Sequence, residues 1–302
     1  MGEVKKYQHL IPRVYMKQWQ SRIENNTNKN KDVYIYKYDK DKLFETGEEV
    51  NINRIAGIND YHTITKDNLF VTKADLKRIK NGELRLLDIE DGWQKKLENG
   101  WQSIINKINN DILKAKKTQI NAFKKKEIIN FIICMEYRGF KGIDIMKAYI
   151  ILSIIRLNLG ENLTQAMIKY YAMDDEMVKN HLLSEMRRFL DNDMNSFIYN
   201  KCNLYTGDTV IVFDIAPDGI EFLTSDNPSF QSTVKIKQVE GSVHLMPISP
   251  KVVAIIYRSD NKNQKYLINK ISIHEVKNIN KVIIESSQRF ILSSKSSIKS
   301  FI

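Results

Sequence analysis

The sequence predicts an α+β protein in which a central helical block packs against a mostly antiparallel sheet formed by N-terminal and C-terminal strands. Helix-period apolar patterns fill the middle of the chain, β-branched and aromatic runs fill its ends, and turn residues separate the runs. With 302 residues, 42% of them hydrophobic, the chain can bury a substantial core. We expect one compact domain over residues 1–302, with a β-rich sub-lobe (residues 1–80 plus 203–302) and a helical sub-lobe (residues 84–200).

The N-terminal elements are predicted to be a short helix and a hairpin. Pro12 suits the first turn of a helix, where a missing N–H costs nothing, so a helix is predicted to begin near it. Residues 32–39 are β-branched and aromatic and predict a strand. A turn at residues 39–41 then predicts a hairpin whose second strand is residues 42–44.

The helical block follows. Apolar residues recur at three- and four-residue steps between residues 84 and 113, which predicts an amphipathic helix. Glycines and acidic residues interrupt the later apolar stretches, so several shorter helices are expected. Those later segments are residues 127–159, with two helices separated around residues 139–142, and residues 162–200, with breaks near Asp174 and Asp191.

Strands return after Cys202. Residues 209–214 and 220–224 flank an Ala-Pro-Asp-Gly turn sequence and therefore predict a hairpin. The remaining predicted elements are strands at residues 234–239, 243–246 and 252–257, a helix at residues 273–287 and a strand at residues 289–293.

Composition narrows the classes of function. The formal net charge is +11, which makes DNA or RNA a candidate partner, but abundant Lys, Asn and Ile are typical of an AT-rich bacterial genome and weaken that inference. No apolar run approaches the roughly 18 residues needed to cross a bilayer, and the start has no signal-peptide pattern. We expect a cytoplasmic protein without a membrane partner. Cys134 and Cys202 form no CxxC pair and are predicted to be buried, reduced thiols.

Motifs of several enzyme classes are absent from the sequence. It contains no P-loop, no dinucleotide-binding glycine pattern and no H-E-x-x-H, so ATP, NAD and a zinc cage are not expected. Ser225-Asp226-Asn227 spells an element of penicillin-recognising serine enzymes, but the rest of that signature is missing. No cofactor is certain. Mg²⁺ remains open, because it needs only one or two protein carboxylates and Glu98, Glu136 and Asp226 could converge.

Three motifs resemble those of one family. Residues 8–15 (QHLIPRVY) resemble the QHxIPRxY opening of the family catalogued as domain of unknown function 4238. Residues 222–228 (FLTSDNP) resemble its FITSDNP element, and residues 245–250 (LMPISP) resemble its LPLSP element. Tyr137-Arg138 and Arg289-Phe290 fit less distinctive blocks of the same family. The resemblance implies a shared polar site of unstated chemistry, and its bacterial character suggests a toxin or phage-defence setting.

The candidate catalytic residues come from these motifs. His9 is a candidate general acid or base, because imidazole titrates near neutrality, and Arg13 is a candidate anion clamp. Asp226 is the third candidate, as a metal ligand or as a group that orients His9. The candidate binding residues are Gln8, Arg138, Ser225 and Asn227.

Each of these motifs also has a structural interpretation. His9 and Arg13 could tie the N-terminal helix to the sheet, and Asp226-Asn227-Pro228 is ordinary turn chemistry. The run of six lysines within residues 114–126 could follow a phosphate backbone, although such runs are typical of solvated helix junctions.

The preferred hypothesis is a nucleic-acid-directed, metal-assisted phosphodiester hydrolase. The alternative is a non-enzymatic module that binds nucleic acid or protein, in which the QH and SDNP elements are structural. A hydrolase of a small phosphorylated metabolite is a third interpretation.

Overall fold

The structure confirms the α+β class. A computed structural model describes residues 7–25, 31–64, 87–156, 172, 174–232, 242–259 and 265–302. The strand predicted at residues 234–239 lies outside the described residues, as do residues 84–86, 157–159, 162–171 and 173 of the predicted helical block.

Most strands lie toward the two ends of the chain, and most helices lie in its middle. The described strands are β1 (Tyr7–His9), β2 (Arg22–Asn25), β3 (Lys31–Asp39), β4 (Glu48–Asn51), β5 (Gly57–Asn59), β6 (Thr63–Ile64), β7 (Leu87–Asp88), β8 (Gln119–Asn121), β9 (Thr209–Ile215), β10 (Thr224–Ser225), β11 (Phe230–Ser232), β12 (Val243–Ser249), β13 (Val252–Arg258), β14 (Lys265–Lys270) and β15 (Phe290–Ser293). The described helices are α1 (Arg13–Met16), α2 (residues 90–114), α3 (Lys125–Arg138), α4 (Gly142–Arg156), α5 (Asp175–Leu190), α6 (Phe197–Gly207) and α7 (Ile273–Ser286).

N-terminal and C-terminal strands build one antiparallel sheet, as predicted. Its order is β10-β15-β3-β2, with β4 paired to β3. The predicted second hairpin strand at residues 42–44 is wrong. The Asp39 side chain accepts the Asp41 N–H and starts a 3-10 turn at Lys40–Lys42, and the chain pairs with β3 only later, at β4.

A second sheet has the order β11-β12-β13-β9-β14-β8. Its pairs are antiparallel except β14 with β9, which is parallel. The predicted hairpin of residues 209–214 with 220–224 is wrong, because β9 pairs with β13 and β14 while β10 joins β15 in the first sheet. Ile220, Phe222 and Leu223 are buried between the two pairings, so this segment crosses from one sheet to the other.

The helical block differs from its prediction mainly at α2. The segment begins at residue 90, after the short strand β7, and it contains two π-helical turns, Gln94–Glu98 and Asn109–Lys114. Its buried Trp101 stacks on Phe131 of α3 with ring centroids 3.8 Å apart. The predicted breaks near Asp174 and Asp191 are confirmed as the two caps of α5. Within the described residues, no helix is both long and apolar enough to cross a membrane.

The N-terminal helical turns are tied to the C-terminal strands by buried hydrogen bonds. The Tyr15 hydroxyl lies 2.7 Å from the Thr224 hydroxyl and donates to the Pro247 carbonyl at 2.7 Å. Trp19 Nε1 donates to the Phe222 carbonyl at 2.9 Å. Tyr15 therefore joins all three sequence motifs at one buried point.

Replacing Tyr15 by Phe should destabilise the fold by about 1 to 3 kcal/mol, because two buried oxygen atoms lose their partner while the ring is kept. Urea unfolding followed by circular dichroism measures this. Tyr36→Phe is the matched control, since the half-buried Tyr36 makes no hydroxyl hydrogen bond among the described residues, and it should change stability by under about 0.5 kcal/mol. Equal losses in the two variants would contradict the tie.

Candidate functional site

A polar cleft of about 170 Å³ opens beside the first sequence motif. Strand β1 and the turn after it form one wall, and the start of α2 and the end of α3 form the other. Ala56 has a φ of 57°, and its carbonyl accepts the Leu10 N–H at 2.7 Å. This hydrogen bond fixes the turn that follows β1. We call this the His9 cleft; its lining residues are Tyr7, Gln8, His9, Pro12, Arg13, Glu90, Gln94, Glu98 and Arg138.

Arg138 forms the buried floor of the His9 cleft. Its side chain is 1% exposed, and all three guanidinium nitrogens donate hydrogen bonds. Nε and Nη2 donate to the His9 carbonyl at 3.2 and 2.7 Å. Nη1 donates to Glu98, and Nη2 lies 3.2 Å from Glu90 Oε1. Arg138, a candidate binding residue, holds the His9 backbone and neutralises two carboxylates, which is a positioning role.

Gln8 and Glu90 are joined through a histidine that sequence reasoning missed. The Gln8 side-chain oxygen accepts the His62 N–H at 2.5 Å, and the His62 ring donates from Nδ1 to Glu90 Oε1. His62 is fully buried. Neither His62 nor Glu90 lies in a recognised motif. The available signal was indirect: an Arg at the end of the apolar helix α3 requires a buried acidic partner.

His9 is held in one tautomer. Its Nε2 lies 3.2 Å from the Ile52 carbonyl, which only accepts, so Nε2 carries the proton and Nδ1 keeps a lone pair. Among the described residues, Nδ1 has no hydrogen-bond partner. Burial and the nearby Arg13 charge lower the pKa of His9, and this outweighs the opposing effect of the Ile52 hydrogen bond. The ring is therefore neutral at pH 7.

Arg13 lies at the mouth of the His9 cleft. It is exposed, and its Nη1 donates to the Asn53 side chain at 3.0 Å. No carboxylate lies within 4.0 Å of its guanidinium among the described residues, so its charge is available to an anionic ligand.

Asp226, Ser225 and Asn227 form a separate buried turn. The Asp226 carboxylate accepts the Gln288 N–H at 2.9 Å and the Arg289 N–H at 2.6 Å. Burial raises its pKa, and these backbone bonds oppose the rise. Asn227 donates from Nδ2 to the Ser286 carbonyl at 3.2 Å, and its N–H donates to the Ser225 hydroxyl at 3.1 Å. The turn contacts the link between α7 and β15, and it does not line the His9 cleft.

The suggested convergence of Glu98, Glu136 and Asp226 on a metal ion is wrong. Glu98 pairs with Arg138, Glu136 accepts from Lys201 at 2.6 Å, and Asp226 accepts backbone N–H groups. Across the described parts of the chain, no group of three His, Cys, Asp or Glu side chains is placed to hold a metal ion.

Glu136 instead belongs to a buried polar cluster around His244. The His244 Nε2 lies 3.5 Å from Glu136 Oε2, Lys201 also donates to the Tyr137 hydroxyl at 2.9 Å, and the Tyr205 ring packs edge-on against His244 with centroids 5.7 Å apart. Burial lowers the pKa of His244 to about 4, although the Glu136 charge opposes the shift.

This lowered pKa predicts acid destabilisation. The folded state favours neutral His244, so the stability that this preference gives is fully present above the unfolded pKa of about 6.5. As pH falls from 6.5 toward 4, the free energy of unfolding should decrease by about 3 kcal/mol. The stability difference between the native chain and His244→Gln should therefore shrink by that amount between pH 7.5 and pH 4 in urea unfolding. The same substitution at the exposed His274 is the control, and a difference for His244→Gln that does not vary with pH would contradict the assignment.

Comparison with protein families gives one match. The model of a family described as "Protein of unknown function (DUF4238)" matches residues 7–297, which includes the His9 cleft and the Asp226 turn. Searches of curated proteins and of solved structures gave no match.

Proposed function

The chain belongs to the DUF4238 family of proteins of unknown function, and from this premise we propose that its His9 cleft hydrolyses phosphodiester bonds in nucleic acid. The observation that carries the proposal is the state of His9. A neutral imidazole with its lone pair on Nδ1 stands in a polar cleft beside the uncompensated charge of Arg13.

His9 is the general base of this proposal. An attacking water or ribose hydroxyl gives its proton to Nδ1 as its oxygen bonds to phosphorus, and the Ile52 carbonyl stabilises the imidazolium through the Nε2 proton. The P–O bond to the leaving sugar oxygen breaks, and the proton returns from the imidazolium to that oxygen through solvent, which restores neutral His9. Because the His9 pKa is lowered, the base is in its active neutral form throughout the physiological pH range.

Arg13 and Glu98 complete the proposed machinery. The Arg13 fork binds phosphate oxygens and stabilises the charge that develops during attack. Glu98 binds Arg138 through Oε1, while its Oε2 makes no hydrogen bond or ion pair among the described residues. A divalent cation would be held there by one carboxylate oxygen together with substrate phosphate oxygens, the coordination that Mg²⁺ accepts.

Nucleic acid is favoured as the substrate by charge. The net charge is +11, and five of the six lysines within residues 114–126 are exposed around the end of α2, β8 and the start of α3. Such a surface attracts a phosphate backbone. We propose a cytoplasmic location, which two buried free thiols suit, and a role in a toxin or phage-defence system.

The test is cleavage of labelled RNA, single-stranded DNA and duplex DNA, with Mg²⁺, with Mn²⁺ and with EDTA. His9→Gln should lower the rate by about 10²- to 10⁴-fold, whereas His274→Gln, at an exposed histidine, should leave it unchanged. Arg13→Gln should lower the rate and move the acidic limb of the pH profile to higher pH, because the Arg13 charge lowers the His9 pKa. Full activity in His9→Gln, or no cleavage under any condition, would overturn the proposal.

The binding-module alternative has one observation in its favour. The polar groups of the second and third motifs are engaged inside the protein: Asp226 by backbone N–H groups and Thr224 and Pro247 by Tyr15. Salt-dependent binding of nucleic acid without cleavage would support this alternative.

A further inference from the structure

A second cleft, of about 140 Å³, lies among α2, α3, α6 and the end of α5. It shares no lining residue with the His9 cleft. Three kinds of group meet in it: lysines, side-chain amides and an apolar wall. We call it the Lys96 cleft, and the residues that matter below are Lys96, Leu97, Lys126, Asn130, Phe189 and Tyr199.

The lysines of this cleft lack acidic partners. Several lysines elsewhere are paired, including Lys147 with Asp175 and Lys201 with Glu136. Lys96 and Lys126 have no carboxylate within 4.0 Å in the part of the chain that the structure describes. Two unpaired ammonium groups at one opening attract an anion, and a phosphate group accepts from both.

Asn130 is the side-chain amide that matters in the Lys96 cleft. Its side-chain oxygen is buried and has no hydrogen-bond partner among the described residues. Asn130 lines the Lys96 cleft, and buried acceptors are nearly always satisfied, so an acceptor without a partner there points to a ligand with an N–H or O–H donor.

The third kind of group in the Lys96 cleft is its apolar wall. Leu97 and Phe189 are buried, and Tyr199 is half-buried. Aromatic rings at the side of a polar cleft favour a flat, unsaturated group that can stack on them.

We propose that the Lys96 cleft binds a nucleotide. Its phosphate pairs with Lys96 and Lys126, a base N–H donates to Asn130, and the base packs against the wall of Leu97, Phe189 and Tyr199. A phosphate, a hydrogen-bond donor and a planar ring occur together in this ligand, whereas inorganic phosphate has no ring and a nucleoside has no charge. The nucleotide is either free or one unit of a single strand, and the proposal does not depend on the chemistry of the His9 cleft.

The experiment measures binding of the four nucleoside monophosphates, ribose 5-phosphate and adenosine to the full chain by titration calorimetry. A dinucleotide and a hexanucleotide form a parallel set. At least one monophosphate or oligonucleotide should bind, and Lys96→Ala should weaken it about tenfold or more. Lys95→Ala is the matched control, because Lys95 lies in the same π-helical turn and does not line the cleft.

Asn130→Leu separates the parts of the ligand. It should weaken the base-containing phosphates and leave ribose 5-phosphate unaffected, because only a base donor meets Asn130. The readout is binding and not cleavage, and neither Lys96 nor Asn130 lines the His9 cleft, so a failure here is distinct from a failure of the hydrolase proposal. Loss of oligonucleotide binding alone in Lys96→Ala identifies a strand as the source. No binding of any nucleotide, or equal weakening by Lys95→Ala and Lys96→Ala, would overturn the proposal.

Discussion

Replacing Arg138 by Met should destabilise the fold by about 3 to 5 kcal/mol, the cost of removing one partner from a buried ion pair. The substitution keeps side-chain length but leaves Glu90 and Glu98 without their cation and the His9 carbonyl without its donors. Arg138→Lys keeps the charge but loses the forked geometry that reaches three acceptors. Its stability should therefore lie between those of the native chain and Arg138→Met. Urea unfolding at pH 7 measures all of these changes.

The control for Arg138 is Arg22→Met. Arg22 also pairs with two carboxylates, those of Glu24 and Glu49, but its side chain is 42% exposed and theirs are 50% and 28% exposed. Exposed pairs contribute little to stability, so this variant should stay close to the native chain. A loss in Arg138→Met no larger than that of Arg22→Met would show that the buried network does not stabilise the fold.

Replacing Asp226 by Ala should lower the free energy of unfolding by about 3 kcal/mol. Two backbone N–H groups, of Gln288 and Arg289, lose charged acceptors at a fully buried position. Asp226→Asn should also destabilise the fold, because an NH₂ group replaces one of the two carboxylate oxygens and then faces a backbone N–H donor. Thermal and urea unfolding report these losses, and Asp218→Ala, in an exposed turn, should change little.

The Asp226 variants also separate structure from catalysis. If the SDNP element is a structural turn, stability falls, and any activity that remains in the folded fraction is unchanged. Native stability with abolished cleavage would instead return Asp226 to the catalytic residues and contradict the structural role.

Local sequence patterns predicted where helices and strands lie better than they predicted which strands pair with each other. Helix period located α3, and the predicted breaks marked the caps of α5, because these signals lie within a few residues of each other. The first predicted hairpin forms, but β3 pairs with β4 and not with residues 42–44. The second was wrong, because β9 pairs with the distant strands β13 and β14. The π-helical turns of α2 left no local signal that sequence reasoning recognised.

The candidate site divides in the same way. His9, Arg13 and Gln8 were found because they stand together in one motif, and the structure places all three in the His9 cleft. Glu90 and His62 were missed, since their contacts to Arg138 and Gln8 span 48 and 54 residues. Asp226 was proposed to act with His9, yet its carboxylate is engaged by the backbone between α7 and β15.

The pairing of β3 with β15 has a consequence for how the chain is made. Asp39 lies opposite Phe290, so about 250 residues must leave the ribosome between the two, which takes roughly 10 to 50 s at the usual speed of translation. During that interval the edge of β3 that later pairs with β15, from Tyr36 to Asp39, stays open. Completion of the first sheet is a late, whole-chain event, and the early N-terminal strands are the segment that a chaperone would have to shield from other unfinished chains.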